Sequence, residues 1–264
     1  MKAVQVAAAT LGLAAVSAAG QPLIYPPSRK TQQVDNYHGV QVADPYRWLE
    51  DDRSTETARW VKAENQLTAS YLAKIPYRHQ VRARLELLYN YAKYTPPFRR
   101  AGYLFYRKNS GLQNQSVLYI QKGLSGTPRI LLDPNTLSAD GTSQLATYSV
   151  SKDGKYLGYT VSKGGSDWQE AHVIEIATGK VLADRLNWLK FTDLSWAGSG
   201  FFYTRFPAPQ AGRELSSKNE SQAVYFHRVG TLQRQDELVY EDKQHPARLF
   251  DIGTTADERF AILA

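Results

Sequence analysis

The sequence predicts a mainly β protein, a partial β-propeller of about three to four four-stranded blades preceded by a small α-helical segment. Three observations support this prediction. Apolar residues before residue 96 recur at helical spacings of three and four. After residue 100 the period becomes two and glycine turns recur. Similar strand motifs then return every 40 to 60 residues, which is typical of a propeller.

The helical segment begins with the stretch DPYRWLEDD (44–52). Asp44 suits a helix N-cap and Pro45 suits the first helical position, where its missing N–H costs nothing. We therefore predict a short helical turn. Its aromatic residues Tyr46 and Trp48, with Leu49, form an apolar patch that is too small to bury itself and must dock on a larger element.

Two longer helices follow. The first comes after Ser54, carries Glu56 in its first turn, and ends at Pro76. The second spans about 77–90, with Val81, Leu85 and Leu88 on one face.

The β part contains strong hairpin signals at Asp153-Gly154 and Thr178-Gly179. A polar stretch at 207–222 is predicted to be a loop insertion. The alternative fold is a β-sandwich with regularly spaced strands. A shared turn followed by an aromatic-aliphatic strand favours the propeller. It occurs in GYLFY (102–106), GKYLGY (154–159), GSGFFY (198–203) and ERFAIL (258–263).

Composition excludes several kinds of site. The chain has no cysteine, so disulfides and thiolate chemistry are absent, and its five histidines lack metal-binding spacing. The net charge of +7 is scattered and not clustered, which argues against nucleic acid as a partner. We predict no metal, no cofactor and no membrane partner.

Residues 1–20 have the pattern of a secretory signal peptide, with cleavage near Ala18 or Ala19. The alternatives are a disordered extension or a wrongly assigned start codon. If the protein is secreted, Asn114 and Asn219 lie in sequons that are candidates for glycosylation.

The chain ends at Ala264, inside a predicted strand. Propellers need about four to eight blades, and an open one leaves strand edges unpaired. We therefore expect this sequence to be a fragment of a longer protein.

Five long motifs stand out along the chain, namely YHGVQVADPYRWLEDDRSTETARWVKAENQLTASYL (37–72), GLQNQSVLYIQ (111–121), LLDPNTLSADGT (131–142), YSVSKDGKYLGYTVSKGGSDW (148–168) and LKFTDLSW (189–196). These motifs resemble the prolyl oligopeptidase family, and the resemblance runs from about Tyr25 to Ala264. It implies a serine endopeptidase that cleaves short peptides after proline, with a seven-bladed propeller capping an α/β-hydrolase domain. The helical segment, 21–96, would pack on the hydrolase domain, and 97–264 would be an incomplete propeller. Typical members are cytoplasmic, so secretion is a departure.

The hydrolase chemistry itself is absent from the sequence. A nucleophilic serine needs a G-x-S-x-G turn between a strand and a helix. The nearest match, 164–168, has Trp168 in place of the last glycine and lies between predicted strands. The catalytic Asp and His would follow that serine, so we predict no catalytic residue and an inactive chain.

The resemblance does suggest contact residues. Phe191 matches an apolar residue that lines the substrate cleft, and Leu249 occupies a position where relatives carry a methionine of similar role. Asp167 matches a residue facing the hydrolase domain. The alternatives are core packing for Phe191 and Leu249, and a local backbone contact for Asp167.

Two other functions are compatible with the pattern. One is a stand-alone secreted half-propeller that binds peptides or a partner. The other is a carbohydrate-binding propeller in which Trp168, Trp188 and Trp196 stack on sugars.

Overall fold

The structure is a computed structural model that describes residues 23–51, 53–215 and 217–264. The predicted signal peptide lies outside these residues. The chain divides into two compact units, Met1–Lys74 and Ile75–Ala264. The predicted boundary at residue 96 stays a prediction.

The first unit contains a β-hairpin that the sequence analysis did not predict. In its turn, His38 and Gly39 have positive φ angles of 54° and 91°. The backbone N–H of Gly39 donates to the Asn36 side chain at 2.7 Å, which closes the turn. The elements of this unit are strand β1 (Val34–Tyr37), strand β2 (Val40–Ala43), a 3-10 helix (Arg47–Glu50) and helix α1 (Thr55–Ala73).

The DPYRWLEDD stretch forms the predicted helical turn, but the turn begins later than expected. The regular 3-10 helix begins at Arg47 and not at Pro45, but the Asp44 carboxylate accepts from the backbone N–H of Tyr46 at 3.3 Å, so it caps the turn as predicted. The Asp44 carboxylate also accepts a hydrogen bond from the Arg47 side chain at 2.6 Å. Arg47 also pairs with Asp35 of β1, so its guanidinium fixes the turn beside the hairpin.

Trp48 of this apolar patch packs within its own unit. The Trp48 ring meets the Trp60 ring of α1 edge-on, with centroids 6.5 Å apart. The indole N–H of Trp48 donates to the Arg29 carbonyl, and that of Trp60 donates to the Ser28 hydroxyl, both at 2.8 Å. Both indoles are therefore satisfied, as half-buried tryptophans require.

The second unit begins with helix α2 (Arg78–Tyr89), close to the predicted span. Three antiparallel sheets and one strand pair follow, with orders β3-β5-β6-β7 (β4 also pairs with β5), β8-β9-β10-β11, β12-β13-β14-β15 and β16-β17. The strands are β3 (Lys93–Tyr94), β4 (Phe98–Arg100), β5 (Tyr103–Asn109), β6 (Val117–Lys122), β7 (Arg129–Leu132), β8 (Ser143–Val150), β9 (Tyr156–Lys163), β10 (Gln169–Glu175), β11 (Lys180–Leu189), β12 (Ser195–Ala197), β13 (Gly200–Arg205), β14 (Ala223–Arg228), β15 (Glu237–Glu241), β16 (Ile252–Thr254) and β17 (Ala261–Leu263).

This arrangement confirms the predicted fold class, a mainly β partial propeller with a short helical segment. The four repeated motifs supply the second strand of each successive sheet, namely β5, β9, β13 and β17. Two apolar clusters form the core. One joins the first and second sheets around Phe105 and Leu157, and the other joins the second and third around Leu186 and Phe201.

Two further findings concern the part of the chain that the structure describes. None of its helices has the length and apolar character needed to cross a membrane. None of its His, Asp and Glu side chains are grouped in a way that could hold a metal ion.

Candidate functional site

The three residues predicted to contact substrate or a partner domain lie in loops at the same end of the sheets. Asp167 is between β9 and β10, Phe191 is between β11 and β12, and Leu249 is between β15 and β16. Because neighbouring strands are antiparallel, these connections fall on one side. We call this side, with the insertion loop at 207–222, the loop end.

Phe191 and Leu249 are both surface residues. Each side chain is 52% exposed, so neither belongs to the blade core. Phe191 also has a φ angle of 51°, in the left-handed region that bulky residues avoid. Strain of this kind persists only where the surroundings impose it, and it is common at functional sites.

A single buried side chain joins the loops that carry these two residues. The Gln222 amide N–H₂ donates to the Lys190 carbonyl at 3.3 Å and to the Thr204 hydroxyl at 3.0 Å. The Gln222 amide oxygen accepts from the backbone N–H of Phe250 at 2.6 Å. Phe191 and Leu249 therefore each neighbour a residue that Gln222 holds in place.

Asp167 lies near a buried cation. Lys190 is only 6% exposed, and its ammonium lies 3.9 Å from the centre of the Trp168 ring. Burial lowers the pKa of Lys190, and the negative charge of Asp167 opposes that change. Asp167 itself is exposed, with its carboxylate open to a partner.

The insertion loop is attached to its surroundings by several polar contacts. The indole N–H of Trp168 donates to the Glu214 carbonyl at 2.6 Å, and the Lys190 ammonium donates to the Asn219 side chain at 2.9 Å. The backbone N–H of Ser221 donates to the Pro246 carbonyl at 2.6 Å. The loop thus spans the connections that carry Asp167, Phe191 and Leu249.

The tryptophans do not form the open platform that sugar stacking requires. Trp196 is 6% exposed and packs against Phe201, with ring centres 5.0 Å apart. Trp168 and Trp188 contact each other edge-on at 5.5 Å and are half-buried. Their rings are used mainly in packing.

A buried ionic cluster lies away from the exposed loop residues. His227 contacts Asp184 at 2.9 Å through Nε2 and Asp236 at 2.7 Å through Nδ1. The Tyr203 hydroxyl donates to the second oxygen of Asp236 at 2.7 Å. The His227 side chain is completely buried, so this cluster belongs to the packed interior.

No serine nucleophile forms at the nearest motif match. Ser166 lies in the turn after β9, and strand β10 follows where a hydrolase would have a helix. The Ser166 hydroxyl accepts from the backbone N–H of Trp168 at 3.1 Å, which is a local turn contact. The prediction that Ser166 lies between two strands is therefore confirmed, whereas the prediction that the chain carries no catalytic residue stays a prediction.

Comparisons with known proteins agree with this geometry. The profile of a family described as "Prolyl oligopeptidase, N-terminal beta-propeller domain" matches residues 26–264. Prolyl endopeptidase of Elizabethkingia meningoseptica is 42% identical over 261 residues, covering 98% of this chain and 37% of that protein. That of Elizabethkingia miricola is also 42% identical, over 100% of this chain and 37% of its own length.

Solved structures show the same likeness. Prolyl oligopeptidase B from Galerina marginata, bound to a 35mer hydrolysis and macrocyclization substrate, has a TM-score of 0.76 at 30% identity. The match covers 92% of this chain and 37% of that chain. The chain thus spans little more than a third of the length of these relatives.

Proposed function

Because this chain belongs to the prolyl oligopeptidase family, as its match to the N-terminal β-propeller domain shows, we propose that it is the N-terminal portion of a serine endopeptidase. In this proposal the enzyme cleaves short peptides after proline. The propeller limits which peptides reach the active site, and the catalytic serine, aspartate and histidine belong to a hydrolase domain outside this sequence.

The observation that carries the proposal is the position of the predicted contact residues. Phe191 and Leu249 present half-exposed apolar side chains, and Asp167 presents a carboxylate, all at the loop end. The buried Gln222 side chain joins the loop that carries Phe191 to the loop that carries Leu249. Two exposed apolar side chains and a carboxylate at the same end of the sheets suit recognition of a proline-containing peptide, whose ring is apolar and whose backbone is polar.

Helix α2 supports the proposed hydrolase partner. Its apolar residues Val81, Leu85 and Leu88 share one face, and each side chain is about half exposed, at 49%, 49% and 50%. Such an apolar stripe is typical of a surface that another protein element covers. We propose that a hydrolase domain covers it.

A chimera tests the function directly. This chain would replace the matching N-terminal part of the Elizabethkingia meningoseptica prolyl endopeptidase, and hydrolysis of a chromogenic peptide with proline before the cleaved bond would be measured. We expect activity from the chimera and none from the chain alone. A folded chimera without activity, or hydrolysis by the purified chain, would contradict the proposal.

Secretion is a separate proposal. If residues 1–20 direct export, N-terminal sequencing of the extracellular or periplasmic protein should begin at Ala19 or Gly20. A protein that stays in the cytoplasm with Met1 intact would reject it.

A further inference from the structure

The segment that carries Phe191 contains a charged residue in an unusual environment. Lysine is rarely buried unless it is paired, yet Lys190 is 6% exposed. Its ammonium has two close contacts, the face of the Trp168 ring and the amide oxygen of Asn219. The contact with the ring is a cation–π interaction, which is strongest when water is excluded.

The backbone around Lys190 is held under strain. Trp188 and Phe191 flank the pair Leu189-Lys190, and both have positive φ angles, 66° and 51°. Two bulky left-handed residues within four positions need strong local support. The carbonyl of Trp188 accepts from the N–H of Phe206 at 3.0 Å, and the carbonyl of Lys190 accepts from Gln222.

The contacts of Lys190 reach three separate parts of the loop end. Trp168 follows Asp167 in the turn between β9 and β10, and Asn219 belongs to the insertion loop. Lys190 itself precedes Phe191. The Lys190 ammonium group therefore links Trp168 to Asn219 of the insertion loop, and the backbone of Lys190 leads directly into Phe191.

We propose that Lys190 is a positioning residue whose ammonium group clamps the insertion loop to Trp168, and so holds Phe191 and Asp167 in the arrangement that a peptide meets. The consequence for peptide binding rests on the proposed function. The effect of Lys190 on the mobility of the insertion loop does not rest on the proposed function, because it depends only on contacts within this chain.

The test compares neutral variants of two lysines. Lys190→Met keeps the length and apolar stem of the side chain but removes the charge. Lys218→Met is the matched control, because Lys218 lies on the same loop, is 83% exposed and pairs only loosely with Glu220, at 3.6 Å. An arginine-specific protease would cut the bond after Arg213, in the insertion loop, and mass spectrometry would follow the rate.

We expect Lys190→Met to raise the cleavage rate after Arg213 by about fivefold or more, and Lys218→Met to change it by less than about twofold. Lys190→Met should also change the tryptophan emission, and this change should disappear in a Trp168→Phe background. A side chain that only supported the fold would alter the melting temperature without this specific signal from Trp168.

Asn219→Leu keeps the test decisive if Lys190→Met fails to fold. Asn219 is exposed, so its replacement leaves the core intact while removing the acceptor for the ammonium. It should also speed cleavage after Arg213. Equal cleavage rates in Asn219→Leu, Lys218→Met and the parent chain would overturn the proposal. None of these measurements uses peptidase activity, so failure of the proposed function would not imitate this result.

Discussion

The imidazole Nε2 of His227 lies 2.9 Å from the carboxylate of Asp184, and both side chains are fully buried. The two residues belong to β14 and β11, so their contact joins the third sheet to the second. Burial lowers the pKa of His227, but the hydrogen bonds that its ring donates to the carboxylates of Asp184 and Asp236 outweigh burial and raise the pKa to about 9. The ring is therefore charged at neutral pH, and the contact is an ion pair.

This ion pair predicts that stability falls in alkaline solution. The folded-state pKa of His227 lies above the unfolded value of about 6.5. The stabilisation is thus complete below about pH 6.5 and is lost as the pH rises through about 9. The shift corresponds to about 3 kcal/mol. We expect the free energy of unfolding, measured by urea denaturation, to fall by about 3 kcal/mol between pH 6.5 and 10.

Two variants identify the origin of this pH dependence. His227→Gln should be less stable at pH 6.5 and should show a much flatter profile up to pH 10. His79→Gln changes an exposed histidine of α2 and should keep the parent profile. Equal slopes in the parent chain and His227→Gln would show that another group titrates.

The start of α1 gives a second prediction, about local stability. The Ser54 hydroxyl accepts from the backbone N–H of Thr57 at 3.0 Å, as an N-cap does. Ser54→Ala leaves that N–H without its partner and should cost about 1 kcal/mol. Ser70→Ala, at an exposed position within the helix, is the control and should cost nothing. Urea unfolding of the first unit by circular dichroism would distinguish them.

Local patterns made much of the fold predictable. The Ser54 cap and the apolar spacing determine α1 and α2, since both depend on residues close in sequence. The second strands of the sheets were found because each combines a turn with an aromatic-aliphatic run. The hairpin at β1 and β2 was missed, although His38-Gly39 is a turn signal, because its strands are short and exposed.

The polar interior could not be predicted in the same way. His227 lies 43 residues from Asp184, and Lys190 lies 29 residues from Asn219. Neither pair shares a motif, so only the three-dimensional arrangement of the sheets brings them together. Only family likeness identified Phe191 and Leu249 as contact residues, since a Phe or Leu near a strand end is more often a core residue.

Gln222 gives a third prediction, about the link between the two contact loops. Gln222→Leu fills a similar volume but leaves the Lys190 carbonyl and the Phe250 N–H without their partner. Unsatisfied buried groups should lower the free energy of unfolding by about 2 kcal/mol. Gln244→Leu, at an exposed position, should have little effect. Similar denaturation midpoints for the two variants would show that the bridge carries no stability.

The left-handed backbone at Phe191 gives the last prediction, which separates stability from function. Glycine adopts a φ angle of 51° without strain, whereas alanine does not. Because the Phe191 side chain is half exposed, its removal costs little packing, so Phe191→Gly should be more stable than Phe191→Ala by about 1 kcal/mol. In the active chimera both variants should raise KM for a proline peptide, since both remove the proposed apolar contact. Melting temperatures and steady-state kinetics would be measured on the same samples. An unchanged KM in both variants would remove Phe191 from the substrate cleft, and a less stable glycine variant would show that the surrounding contacts, not the backbone, determine this conformation.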